Sequence, residues 1–382
     1  MDRRQFLAAG GLAAATPVLA HAFGAAGATA DGSAPQAVNF VSDGLGLDPR
    51  EYAAALQQAA ATLTPDYYSR GGFITELEHA FAQRLGKQAA LFVPTGTLAN
   101  QLAVRKLAGT DRRVLVQAES HLYNDSGDCL QTLSGLNLIP LAAGRSTIAL
   151  DEVKHWVERT ASGRVETRVG VISIENPVRR RDHEMVDMRE LERVCDYART
   201  HGIRLHLDGA RMFNLPLHSK RTLREHAALF DTVYVSLWKH FNGASGAILA
   251  GDKTFIDGLF HERRMFGGSL PQAWPQVALV PQHLQRYEDD YARAWQAAEQ
   301  WLSQLTADRR FKAERVPNGT SRFYLTVSGV APDAFAARLA ERGIVLPPPH
   351  PDTGAFGLQL NPTILRTSPA ALARAFVEAA TG

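Results

Sequence analysis

Short apolar, β-branched runs alternate with amphipathic stretches from about residue 88 to 250, and this alternation restricts the chain most. It is the pattern of a mostly parallel sheet covered by helices, because strands buried on both faces read as continuous apolar runs while the crossovers between them read as helices. The runs are Ala90–Val93, Val114–Gln117, Leu138–Leu141, Val169–Ile174, Ile203–Leu207, Thr232–Ser236 and Ala247–Ala250, so a seven-stranded sheet is expected. In such sheets ligands gather beyond the carboxyl ends of the strands, which directs attention to the residues that follow each run. After about residue 253 the pattern changes to longer helical segments, including Gln276–Thr306. A smaller α+β unit follows, with a strand over Arg322–Val327, a helix around Pro332–Arg342, the prolines 347–349 and a last helix from Ser368. No internal repeat interrupts this order.

With 382 residues, 45% of them hydrophobic, the chain can bury a large core and a smaller second one. Forty-one basic against thirty-nine acidic residues give a net charge of +2, so composition offers no electrostatic reason for a nucleic-acid or anionic-membrane partner. A small neutral or zwitterionic ligand fits better. The two cysteines, Cys129 and Cys195, are too few for a disulfide framework, match no zinc spacing and read as ordinary thiols. At the N-terminus, Asp2-Arg3-Arg4-Gln5-Phe6-Leu7 precedes an alanine-rich apolar stretch ending near Ala20-His21-Ala22, similar to a twin-arginine export signal. Thr16 and Pro17 interrupt that stretch and argue against a stable membrane span. A working signal makes the mature protein periplasmic or secreted, without a membrane anchor; otherwise it is cytoplasmic.

Three segments carry candidate chemistry. In Leu91-Phe92-Val93-Pro94-Thr95-Gly96-Thr97-Leu98-Ala99-Asn100 a strand leads through small residues into a helix, whose first N–H groups can receive a phosphate. Thr95 and Thr97 are equally good as plain helix caps. In Ile203-Arg204-Leu205-His206-Leu207-Asp208-Gly209-Ala210-Arg211 a strand ends in an acid, which can pair with a protonated pyridine nitrogen or merely cap the next helix. In the third, a strand ends at Ser236, Lys239 follows, and Phe241-Asn242-Gly243-Ala244-Ser245-Gly246-Ala247 returns into another strand. A lysine in such an apolar, aromatic setting favours the neutral amine that forms a Schiff base.

Taken in order, Phe92–Asn100, His206–Arg211 and Ser236–Lys239 resemble the cofactor motifs of the threonine aldolase and aromatic amino acid β-eliminating lyase family. The resemblance runs from about Val41-Ser42-Asp43 to the C-terminal unit. It implies fold type I, with pyridoxal 5′-phosphate as cofactor on Lys239, Asp208 on the pyridine nitrogen, and Gly96, Thr97 and Ser236 among the cofactor contacts. It further implies His121 stacked on the ring and offering a base near neutral pH, and Arg211 on the substrate carboxylate with its planar fork. Ser42 and Asp43 match a family Ser-Asp pair near the N-terminus that lies close to the site, and Arg366 a second carboxylate-binding arginine. The domain reading that follows is 1–22 signal, 23–37 linker, 38–275 N-terminal segment and large cofactor-binding domain, 276–382 long helix and small domain.

Three departures from the family pattern stand out. Gly267-Gly268-Ser269-Leu270-Pro271-Gln272 has a proline where the family places an arginine that reaches a phosphate across a subunit boundary. Glu175-Asn176-Pro177-Val178-Arg179-Arg180-Arg181-Asp182-His183 keeps Glu-Asn and then differs, its arginine run being either a substrate border or a solvated turn. Tyr67–Thr75 differs as well. The expected activity is retro-aldol cleavage of a threonine-like β-hydroxy-α-amino acid to glycine and an aldehyde, by a homodimer or homotetramer. The rivals are β-elimination or racemisation on the same scaffold, an aminotransferase, and an exported amino-acid-binding protein without turnover.

Overall fold

The computed structural model describes residues 37–381, so the export signal expected at 1–22 lies outside the described residues. Strand β1 is Val38–Asn39; β2 (Ala89–Val93), β3 (Arg113–Gln117), β4 (Asn137–Leu141), β5 (Val169–Glu175), β6 (Arg204–Asp208), β7 (Thr232–Ser236) and β8 (Ala247–Gly251) form the large sheet. Its order is β2-β8-β7-β6-β5-β3-β4, and all seven expected runs are in it. Only β8 opposes its neighbours, β2 and β7. The reason is the connection: β7 returns to β8 through residues 237–246 with no crossover helix, and a short return can only be antiparallel. Every residue of β5, β7 and β8 is buried, as expected for strands covered on both faces.

The strand order reverses between β3 and β5, since β4 lies on one side of β3 and β5 on the other. A reversal of this kind opens a crevice at the carboxyl ends of the two strands. Gln117 ends β3 and Glu175 ends β5. The helix Gly96–Ala108 packs across β5 to β8 and starts on the same side of the sheet.

The smaller unit contains β9 (Phe311–Arg315), β10 (Arg322–Val327), β11 (Ile344–Val345) and β12 (Phe356–Gln359); β12, β10 and β9 form an antiparallel sheet. Along β10 the residues alternate, with Phe323, Leu325 and Val327 buried on one face. β1 pairs with β11, and Val38 and Phe40 bury in this smaller core rather than with the large sheet. Trp301 is wholly buried at its centre, stacked on Phe40 at 5.2 Å and edge-on to Phe376 at 4.9 Å. The helix expected over Gln276–Thr306 is corrected to three pieces, Trp274–Val277, Val280–Leu284 and Tyr287–Leu305. Pro281 lacks an N–H and disfavours helical backbone before it, so it opens a new helix rather than continuing one. Glu288, Asp289 and Asp290 crowd the first turn of the third piece, where the helix dipole favours acids. No helix among the described residues is long and apolar enough to cross a membrane.

Replacing Trp301 by alanine should cost about 3–5 kcal/mol of stability, read from the urea midpoint of the full chain. Val165→Ala, at a side chain 77% exposed, should stay within about 0.5 kcal/mol.

Candidate active site

Lys239 follows the end of β7 and is only 9% exposed. Burial, followed by the nearby Arg211 guanidinium, pulls its ammonium down from the usual lysine range to about 8, against the opposing pull of Asp43, Asp208 and Glu175. Its Nζ lies 5.5 Å from the centre of the Trp238 ring, and no ion pair holds it among the described residues. The loop is anchored from below by His240, which stacks on Tyr287 at 4.4 Å.

Asp208 ends β6 and is buried. Its Oδ2 accepts from Asn100 Nδ2 at 2.7 Å, and its Oδ1 from the Ala210 N–H at 3.2 Å. Because the Asn100 amide must donate to the carboxylate, its Oδ1 is left to accept from His206 Nε2 at 2.9 Å, and His206 Nδ1 then accepts from the Thr232 hydroxyl at 2.8 Å. Burial pushes His206 down to about 4, so it serves this chain as a neutral ring. The whole relay fixes one carboxylate at a strand end. Sequence reasoning did not single out Asn100 or His206, although both signals were present: His206 and Asp208 share a strand face by the two-residue period, and Asn100 lies one helical turn beyond Gly96.

Beside Asp208, and its register partner on the adjacent strand, stands Glu175. Burial first, then the charge of Asp208, pushes its carboxyl up to about 7. Its two oxygens accept the N–H groups of His121 at 2.6 Å and Arg179 at 2.9 Å. Gln117 crosses the crevice, accepting from the Glu175 N–H at 2.7 Å and donating to the Glu175 carbonyl at 3.0 Å. His121 is thus held by its backbone at the strand reversal. Its Nδ1 lies 3.2 Å from Ser126 Oγ, and the Ser126 hydroxyl donates to the His121 carbonyl at 3.2 Å. With that single hydroxyl proton committed, Nδ1 is the donor and the lone pair on Nε2 is free to accept. Burial lowers the affinity of His121 for a second proton.

Arg211 makes a buried two-pronged pair with Asp43, Nε to Oδ1 and Nη2 to Oδ2, both 2.8 Å. Burial opposes ionisation of Asp43, but the guanidinium wins and holds the carboxyl well below the usual range. Nη1 is left to bind another acceptor. Gly96 begins its helix beneath Tyr234: a β-carbon there would lie 1.9 Å from the Tyr234 hydroxyl, so only glycine fits. The first N–H groups, of Gly96 and Thr97, have no partner within the helix. The Ser236 hydroxyl is fully buried and faces the Tyr234 side chain, which lies on the same face of β7. An amine deprived of water, a fixed carboxylate, unused helix N–H groups and a buried hydroxyl suit the aldehyde, ring nitrogen and phosphate of pyridoxal 5′-phosphate.

Ser42 adjoins Asp43, with its hydroxyl accepting from Asn39 Nδ2 at 3.0 Å. Arg366 is not brought to the cluster: its Nη1 donates to the Ala37 carbonyl and braces the start of the described chain. The arginine run is a half-exposed, ion-paired turn. Arg179 and Arg180 both bind Asp125, which their contacts hold down to about 2, and Arg181 faces Glu184. Two of the departing segments turn out to pack on one another, with Tyr68 N–H on the Pro271 carbonyl at 3.0 Å and Leu270 N–H on the Ser69 hydroxyl at 3.0 Å. Arg263, wholly buried, ties them to the sheet by donating to the carbonyls of Phe92 and Ser69.

In cofactor-free protein, acylation of Lys239 should rise through about pH 8, whereas ordinary lysines near ~10.4 respond later. Mass spectrometry of the labelled peptide across the pH series reads this directly, and a midpoint near that of the bulk lysines would contradict it.

Residues 41–325 match the family model described as beta-eliminating lyase. Aldolase vrtJ of Penicillium aethiopicum is 31% identical over 242 residues, 63% of this chain and 61% of its own length. Alanine racemase TOXG of Cochliobolus carbonum is 30% identical over 214 residues, 55% of this chain and 54% of its own. The chain therefore spans less than two thirds of the length of these curated relatives. A crystal structure from Listeria monocytogenes, assigned as an L-allo-threonine aldolase, superposes with a TM-score of 0.75 at 26% identity, covering 90% of this chain and 96% of the other. The architecture is that of fold-type-I enzymes, and family and side chains agree on pyridoxal 5′-phosphate as the cofactor. With the model matched over most of its length, the chain belongs to the β-eliminating lyase family.

Proposed function

We propose that the protein cleaves a β-hydroxy-α-amino acid of the threonine or allo-threonine type to glycine and an aldehyde. The observation that carries this reading is the buried Lys239 amine, lowered to about 8 and under the influence of both Asp208 and Arg211. In this reading Lys239 carries the cofactor through Nζ, with Gly96, Thr97 and Ser236 around it, and Asp208 holds a proton at the ring nitrogen. When bound, the cofactor would supply an electron-accepting ring for the pair left on Cα when the Cα–Cβ bond breaks. Arg211 binds the substrate carboxylate through Nη1, while Asp43 keeps the guanidinium from rotating. Fixing the carboxylate would fix how the bonds at Cα are oriented, and so which of them breaks. Ser42, beside Asp43, adds a hydroxyl at the same end. His121 Nε2, directly or through a water, takes the β-hydroxyl proton, its ring held by Ser126 and Glu175.

A homodimer or homotetramer and the twin-arginine route to the periplasm belong to the same reading, the first suggested by the family resemblance and the second by Asp2–Leu7 and the alanine-rich stretch ending near Ala20-His21-Ala22.

Incubation of the holoenzyme with L-threonine and L-allo-threonine should release acetaldehyde and glycine in equal amounts. Lys239→Ala should lose at least about 10³-fold in kcat, and Arg211→Lys should raise KM for want of the two-pronged fork. Pyruvate and ammonia from serine, D-isomer from L-alanine, or dependence on a keto acid would instead establish elimination, racemisation or transamination.

A further inference from the structure

A cavity of about 460 Å³ opens beside the amine, lined among others by Val41, Ser42, Asp43, Leu47, Tyr52 and Trp238. Two contacts locate it. Trp238 lines it and lies 5.5 Å from Lys239 Nζ, and Asp43 lines it and lies 2.8 Å from Arg211. A substrate with its amine at Lys239 and its carboxylate at Arg211 would lie next to two of the residues that line this cavity. Hydrogen bonds hold the walls together. The Val41–Leu47 strap is tied to the lysine loop by the Leu45 N–H on Asn242 Oδ1 at 2.8 Å, and to the smaller unit by Asn361 Nδ2 on the Ser42 carbonyl at 2.7 Å. Gly44 allows the close approach, since a β-carbon there would lie 2.4 Å from the Lys239 carbonyl.

Building on the retro-aldol reading, we infer that this cavity takes the substituent on the substrate β-carbon and selects an aryl group over the methyl of threonine. The volume lies within the ~300–1,000 Å³ usual for small-molecule sites, far more than a methyl needs. Trp238, left 52% exposed, offers an indole face of the kind that aromatic rings stack on, and Val41, Leu47 and Tyr52 supply apolar contact around it.

The test separates pocket from reaction. Calorimetric titration of the holoenzyme with L-phenylalanine and L-alanine, neither of which has a β-hydroxyl, should show phenylalanine binding about tenfold more tightly. That advantage should shrink to about twofold in Trp238→Ala, persist in Trp238→Phe and weaken in Leu47→Ala. In parallel, the ratio of kcat/KM for phenylserine over threonine should fall about tenfold in Trp238→Ala. An absent advantage in the wild type, or one unmoved by Trp238→Ala, overturns the pocket even if threonine is cleaved. Loss of the advantage in Trp238→Ala without cleavage of either β-hydroxy amino acid upholds the pocket and overturns the retro-aldol reading.

Discussion

A lysine ammonium denied water is the constraint around which the site is built. Lys239 could be stabilised as a cation by a close carboxylate, yet the two acids nearest in influence are both occupied elsewhere: Asp43 in its fork with Arg211, Asp208 with Asn100 and the Ala210 N–H. Arg211 adds repulsion to burial. The outcome is an amine that gives up its proton near pH 8, well before an ordinary lysine, which is the state a carbonyl electrophile requires. The cost of holding it there falls on the surrounding packing, notably Tyr287 against His240 and the glycine-rich return into β8.

The second organising feature is the pair of carboxyls on adjacent parallel strands, Glu175 and Asp208. Two ionised acids side by side in a dry crevice repel, and Glu175 absorbs the conflict by holding its proton to about 7. Two backbone N–H groups keep it in place, and through one of them it fixes His121 at the strand reversal. The sheet topology thus supplies the crevice, and the acid pair assigns different duties to its two walls: a permanently paired carboxylate on β6 and a proton-sharing anchor on β5.

Much of this was legible in residue order. The apolar runs located every strand of the large sheet, because strands buried on both faces have no polar positions to obscure them. The strand-end rule pointed to Asp208, His121 and Lys239, and the structure gathers all three at one crevice. What escaped were relations between distant segments. Asp43 and Arg211 are 168 residues apart, and neither neighbourhood announces the other. The arginine run could be read two ways because its partner, Asp125, lies more than fifty residues upstream. The helix breaks near Pro281 and Tyr287 were hidden by a composition rich in Ala, Gln and Leu, which reads as one helix until the proline's missing N–H is weighed. Arg366 was placed by its motif alone, and packing gave it to a backbone carbonyl instead.

The central claim concerns one nitrogen, and it can be put to a direct chemical trial. Borohydride reduction of the holoenzyme converts a lysine-bound cofactor into a stable secondary amine, which proteolysis and mass spectrometry then locate. The account predicts the pyridoxyl mass on the peptide containing Lys239 and on no other. Its appearance on Lys87, a half-buried lysine whose proton affinity is also lowered, or its loss from the protein on denaturation after reduction, would contradict it.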